Sequence, residues 1–263
     1  MTALISTRDL SVRIGGHKVC RALNWQVHPG ERWAILGKNG VGKSTLLTTL
    51  AGLRAPQDGH LTICGETFGM SSAPSFSVAL QRSLAQQRGY LAQHHSDPFP
   101  STVMETALIG RHPHLGRWDW ESETDRQIAR AALAEVDLAE LIEREVQTLS
   151  GGERQRLAVA QLLTQQPQIF LLDEPLTHLD LSHQVAVMEL FRQRTQSNAA
   201  MVAVLHDPGF AVRYCEHALL LFGAGEWLAG PGHEIITAAN LSRLYGHPLR
   251  EIESGSDRWF IPC

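Results

Sequence analysis

The chain has 263 residues, 43% of them hydrophobic and 19% charged, with a formal net charge of −4. That length and balance describe a globular protein with a sizeable core, organised as one large domain or two small ones. The mildly acidic charge excludes whole-surface attraction to nucleic acid or anionic lipid, and four scattered cysteines without a CxxC pair exclude a disulfide frame or zinc knuckle.

In chain order, residues 1–36 read as strands: "ALISTRDLSVRI" and "WQVHPGERWAIL" carry β-branched and aromatic residues around a turn at Pro29-Gly30. Arg8 and Asp9 stand where a secretion signal would need an apolar run. No apolar stretch approaches the roughly 20 residues that cross a bilayer. The expectation is a cytoplasmic chain whose membrane role, if any, goes through a partner. "WAILG" is a short buried strand followed by the helix pattern "STLLTTLAGL". "GLRAPQDGHLTICGETF" reads as a hairpin turning at Asp58-Gly59.

From about Ser96 to Gln161 the composition shifts to helix formers and charges. Ile128, Ala132, Leu133, Val136, Leu138 and Leu141 fall close to one helical face. "QIFLLDEP" and "AAMVAVLHD" are unalternating apolar strands, and "LSHQVAVMELFRQR" is a helix between them. Strand, helix and strand at that spacing make a βαβ unit, hence an α/β fold with a parallel sheet. The tail "GSDRWFIPC" reads as a turn and strand.

Chemistry concentrates first at Gly37-Lys38-Asn39-Gly40-Val41-Gly42-Lys43-Ser44, a full G-x-x-x-x-G-K-[ST] match between a strand and a helix. Its glycines let backbone N–H groups turn toward phosphates, and the helix start adds a favourable dipole. Lys43 is placed to reach the β/γ-phosphates and the Ser44 hydroxyl to ligate Mg²⁺. Asp173 ends an apolar strand at the carboxyl edge where open α/β sheets bind ligands, so it is a candidate to hold Mg²⁺ directly or through water. Glu174 is a candidate to accept a proton from, or to orient, an attacking water. His206 ends the next strand one βα unit later, beside the same edge, within reach of a γ-phosphate oxygen. Gln93, in "YLAQHH", has an amide suited to Mg²⁺ or water. His94 and His95, like His112 and His114, lack further residues at ligand spacing.

"TLSGGERQR" opens a second glycine-rich helix. Ser150 is a good N-cap, and Glu153 completes a capping box. Gly151 and Gly152 do not fit a purely structural helix start, since each costs about 1 kcal/mol relative to alanine. Their use is unobstructed access of an anion to bare N–H groups. Without an adjacent lysine, this turn complements a phosphate held elsewhere.

Taken in order, Gly37–Thr45, Gln93, Leu149–Gln155, Asp173-Glu174, Asp180 and His206 resemble the ATP-binding subunit of ABC transporters over nearly the whole chain. The resemblance implies a P-loop NTPase core with a RecA-like parallel sheet, an N-terminal antiparallel β subdomain and an inserted helical subdomain. A single domain over 1–263 is expected, with 1–92 and 162–263 as core and approximately 93–161 as the helical insert. It implies ATP and Mg²⁺ as cofactors, Lys43, Glu174 and His206 as the catalytic set, with Glu174 the general base and His206 a γ-phosphate switch. Gly37 to Thr45, Gln93, Asp173 and Asp180 then contact nucleotide, with Ser44, Gln93 and Asp173 around the metal.

In such a family two chains face head to tail, and Ser150, Gly151 and Gly152 of one close over ATP held by the other. "LTHLD" resembles the loop that crosses between the sites. The implied partners are a second ATPase subunit, an integral membrane permease and, indirectly, a solute-binding protein; the implied location is the cytoplasmic face of the inner membrane. "TALIGRHPHLGRWDWESETD" and "LDLSHQ" are similar to ATPases of iron–siderophore, haem or vitamin B12 permeases. One departure is Ile14, where the family often has an aromatic for adenine. The rival readings are a soluble ABC ATPase acting on nucleic acid or ribosomes, a nucleotide-switched regulatory protein, and an exporter subunit.

Overall fold

The computed structural model describes residues 2–69, 78–93, 100–254 and 257–263. Strands β1 (Ile5–Ile14) and β2 (His17–Val27) form the first hairpin through Gly15 and Gly16, both in the left-handed region. The second strand therefore starts at His17, well before "WQVH". The Pro29-Gly30 turn carries the chain out of this hairpin into β3 (Arg32–Gly37), which belongs to a different sheet, and on to α1 (Lys43–Leu50). Strands β4 (Asp58–Ile63) and β5 (Glu66–Gly69) complete an antiparallel sheet of order β2-β1-β4-β5.

The expected turn at Asp58-Gly59 is corrected by this pairing. Both residues lie inside β4, and the hairpin turns at Cys64-Gly65, each with positive φ. Gly59 is glycine because a Cβ there would run into the backbone of Asp9, at a register shift between β1 and β4. A glycine demanded by close approach looks, in sequence, like one demanded by a turn.

After α2 (Val78–Gln87) come β6 (Arg88–Leu91), α3 (Val103–Leu108), α4 (Glu123–Glu135) and α5 (Gly151–Gln165). Then follow β7 (Ile169–Asp173), α6 (Leu181–Gln196), β8 (Ala200–Val204), α7 (Pro208–Tyr214), β9 (His217–Gly223) and β10 (Glu226–Pro231). The second sheet has the order β10-β9-β3-β8-β7-β6; all its pairings are parallel except that of edge strand β10. Its strands alternate between two cores. Ala34, Leu36, Phe170 and Leu172 join the helical side, whereas Trp33, Ile35, Ile169 and Leu171 pack toward α1 and the antiparallel sheet. Both faces are covered, so unbroken apolar runs are what such strands require. Two short helices, α8 (Gly232–Ile235) and α9 (Ala238–Tyr245), lead to a terminal hairpin of β11 (Leu249–Ser254) and β12 (Asp257–Pro262).

The helical region is set by capping boxes at Thr102, Ser122 and Ser150. Helix α4 stops at Glu135, because Asp137 turns left-handed. Val136 and Leu138 are nonetheless buried, carried inward by the turn and not by a helical face. Helix α5 runs without a break across residue 161 to Gln165. Its end is held by Arg111, which donates to Thr164 O at 3.2 Å and to Asp125 Oδ1 at 2.8 Å, and by His114, whose Nε2 lies 2.9 Å from Gln165 O.

Arg111 and Asp125 are both buried. Hydrogen bonds from Ser122 and Arg111 hold the Asp125 carboxyl down at about 2, against an ordinary value of 3.8. The pair's stabilisation is therefore complete above about pH 4 and is lost as pH falls toward 2. Arg111→Met, which strands the carboxylate, is expected to lower the unfolding free energy by about 3–5 kcal/mol. Urea unfolding at pH 7 reads this, and a loss below about 1 kcal/mol would remove the pair from its structural role.

Candidate functional site

Four strand ends converge on one edge. Gly37 ends β3 and opens the loop to α1, while Asp173 ends β7 and pairs with Val204 of β8, two residues before His206. The Leu91↔Leu172 register brings Gln93, half-buried just beyond β6, to the same edge.

In the 37–45 loop, Gly42 has φ +104, and a Cβ there would drive into the Val19 side chain, so the first hairpin leans directly on the loop. Lys38, Asn39 and Gly40 are exposed at its crest, with Val41 half-buried behind them. Lys43 is buried, its Nζ donating to Gly37 O at 2.9 Å and Lys38 O at 3.1 Å. Burial pulls its ammonium below the ordinary lysine range, against the opposing pull of Glu174 and Asp173. Thr45 is buried, and its carbonyl accepts from Thr49 Oγ1 at 2.8 Å.

Ser44 Oγ donates to Asp173 Oδ1 at 3.0 Å. Asp173 is almost fully buried, and burial pushes its carboxyl above the usual range, opposed by the Ser44 hydrogen bond and reinforced by Glu174. Asp173 and Glu174 are adjacent carboxylates close enough to Lys43 to act on its charge, and among the described residues no ion pair joins that lysine to either of them. Asp173, side by side with the Ser44 hydroxyl, offers oxygen donors of the kind that suit a hard divalent ion.

Glu174 sits in the left-handed region at φ +53, and its Oε1 lies 2.7 Å from His206 Nε2. A non-glycine residue held there is backbone strain of the kind found at functional positions. Tyr90 of β6, which sequence reasoning missed, brings its hydroxyl to 3.5 Å from Asp173 Oδ2. Burial, with Asp173 nearby, raises its pKa. Only the three-dimensional register of β6 beside β7 reveals that contact.

The second glycine turn is built as its capping box requires. Ser150 N donates to Glu153 Oε2 at 2.7 Å and Ser150 Oγ accepts from Glu153 N at 3.3 Å. Among the described residues, no hydrogen bond or ion pair joins Ser150, Gly151 or Gly152 to the 37–45 loop. Gly152 has a structural reason beyond open N–H groups: a Cβ would sit 3.1 Å from His178 O. His178, at φ +66, packs its ring against Gly151. Gln155 Nε2 donates to Pro175 O at 2.9 Å, tying this helix to the loop that carries Glu174. Asp180 caps α6, accepting from His183 N at 2.9 Å and Ser182 Oγ at 2.8 Å, so the hydrogen bonds given for it are local.

His94 and His95 lie outside the described residues, and among the described ones no His, Cys, Asp or Glu cluster could hold a metal by itself. No helix among them is long and apolar enough to cross a membrane. Ile14 stands at the hairpin tip, 41% exposed and paired across the strands with His17.

Residues 20–177 match the ABC transporter family. The chain belongs to that family. Like its other ATP-binding subunits, this ABC subunit binds and hydrolyses ATP. It is 37% identical over 253 residues to the hemin import ATP-binding protein HmuV of Bradyrhizobium diazoefficiens, covering 93% of this chain and 89% of that one. It is 35% identical over 246 residues to the ferric enterobactin transport ATP-binding protein FepC of Escherichia coli K12, covering 93% and 88%. Its structure superposes on a metal-chelate type ABC transporter in an inward-facing conformation with a TM-score of 0.84, at 28% identity, over 100% of this chain and 98% of that one. The P-loop core and antiparallel N-terminal sheet recur in a dimeric ATP-binding cassette with ADP and phosphate, at a TM-score of 0.74 and 23% identity.

Proposed function

We propose that this ABC subunit powers import of a metal chelate, an iron–siderophore, haem or cobalamin, through a separate membrane permease. The observation that carries the reading is similarity over nearly the full chain to subunits named for hemin and ferric enterobactin transport. The site supports the chemistry. Loop residues Gly37 to Thr45 bind the ATP phosphates, with Lys43 neutralising their charge. Ser44, Asp173 and Gln93 hold Mg²⁺, which offsets charge on the transferring phosphoryl group. Glu174 takes the proton of the attacking water, and His206 keeps that carboxylate aimed from 2.7 Å.

Ser150, Gly151 and Gly152 complete the ATP site of a second copy, and Asp180 belongs to the loop running between the two sites. The pair sits at the cytoplasmic face of the inner membrane on its permease, which receives cargo from a solute-binding protein; nucleic acid is no partner. One single-domain chain, 1–263, carries both the nucleotide core and the helical insert around 93–161. Copurification of the tagged chain from native membranes tests this, followed by uptake of radiolabelled ferric siderophore, haem and cobalamin in a deletion strain. Membrane subunits with lost uptake of one chelate are expected. Recovery with ribosomes or DNA and normal uptake of all three would overturn the reading.

A further inference from the structure

The run Asp180-Leu181-Ser182-His183-Gln184 opens α6 with more hydrogen bonds than a helix start requires. An N-cap carboxylate needs one backbone donor, and Asp180 has it in His183 N at 2.9 Å. Two further donors meet the same oxygen. Ser182 Oγ donates to Asp180 Oδ1 at 2.8 Å, and His183 Nδ1 lies 2.8 Å from that atom. Among the described residues nothing bonds Asp180 Oδ2, and the side chain is 66% exposed.

The His183 amide first, then Ser182 and the imidazole, hold the Asp180 carboxyl down at about 2, against an ordinary value of 3.8. An ionised carboxylate can only accept, so His183 Nδ1 is the nitrogen that carries a proton toward it. Three bonds converging on one oxygen fix the carboxylate's rotation and leave its second oxygen bare in a set direction. The loop behind it is fixed as well. Gln184 Nε2 donates to Leu179 O at 3.1 Å, Leu179 N to Leu176 O at 3.3 Å, and Gln155 holds the other end at Pro175.

We propose that His183 is a positioning residue, whose imidazole aims the free oxygen of Asp180 at a donor on the second copy of the chain. The proposal rests on the reading of Asp180 as part of the loop between two ATP sites, and adds what sets that residue's geometry. Asp180 Oδ1 is engaged within its own chain, so Oδ2 is the atom left to answer to another. A carboxylate already fixed loses less rotamer freedom when two copies meet, so the pair forms more readily. Among the described residues His183 has no side-chain bond to the 37–45 loop or to Glu174, so its effect runs through Asp180.

The test follows the ATPase rate of the full chain against protein concentration, which gives an apparent dimer Kd, beside nucleotide affinity and thermal unfolding. His183→Leu is expected to raise that dimer Kd about three- to tenfold, with nucleotide affinity of the dilute chain at its wild-type value. His183→Asn, whose amide nitrogen lies where Nδ1 does, should return the dimer Kd to within about twofold of wild type. Wild-type values in His183→Leu would overturn the proposal. So would equal losses in both variants, since the ring's bulk and not its donor would then matter. Wild-type behaviour of Asp180→Ala instead brings down the reading of Asp180 as a contact between the copies.

Discussion

Glu174→Gln is expected to leave ATP bound and turnover lowered by about 10²–10⁴-fold. Glutamine keeps the size of the side chain and a carbonyl oxygen for His206, at the 2.7 Å position now held by Glu174 Oε1. It loses the negative charge, and with it the ability to take a proton. Binding, which rests on the 37–45 loop and Lys43, is separate and should persist. Because ATP then stays intact between two copies, the variant should run as a dimer with ATP in size exclusion and as a monomer without it. Multiple-turnover phosphate release gives the rate, and equilibrium binding of a fluorescent ATP analogue gives the affinity. Hydrolysis within about threefold of wild type would remove Glu174 as base.

Ser150→Arg separates the second glycine turn from the first. The substitution removes a cap worth about 1 kcal/mol and sets a cation against the positive end of a helix. It also sets a long side chain beside the N–H groups of Gly151 and Gly152. Nucleotide affinity of the isolated chain should be unchanged, since no contact in the described structure joins Ser150 to the 37–45 loop. Turnover should fall by at least about 10²-fold, the scale for removing preorganised donors from a reacting anion. Ser150→Ala, which loses the cap but blocks nothing, should retain most of the rate. If Ser150→Arg weakens binding and turnover equally, the turn serves a phosphate in its own chain.

What the sequence could reveal was whatever is encoded locally. The 37–45 loop, the capping box at Ser150 and the acidic end of β7 each lie within ten residues, and their spacing carries their geometry. The βαβ unit around α6 was equally legible, because a strand buried on both faces must be apolar throughout. Contacts between distant segments were not. Tyr90 meets Asp173 across 83 residues, Arg32 meets Glu216 across 184, and Arg111 meets Thr164 across 53. The misplaced hairpin turn has the same origin. Gly59 answers to Asp9, and nothing within its own segment distinguishes that demand from a turn.

Helix α5 joins two of these features end to end. Its N-cap and first residues are Ser150, Gly151 and Gly152, and its last are gripped by Arg111 and His114, just ahead of the exposed Trp118 and Trp120. Fifteen residues of α-helix make a rod about 22 Å long. A tilt of about 5° pivoting at the Ser150 end sweeps the Gln165 end through about 2 Å, roughly a third of the rise of a helical turn. The rod is thus a lever arm, and a hinge movement too small to disturb a hydrogen bond at one end becomes a side-chain-sized displacement at the other.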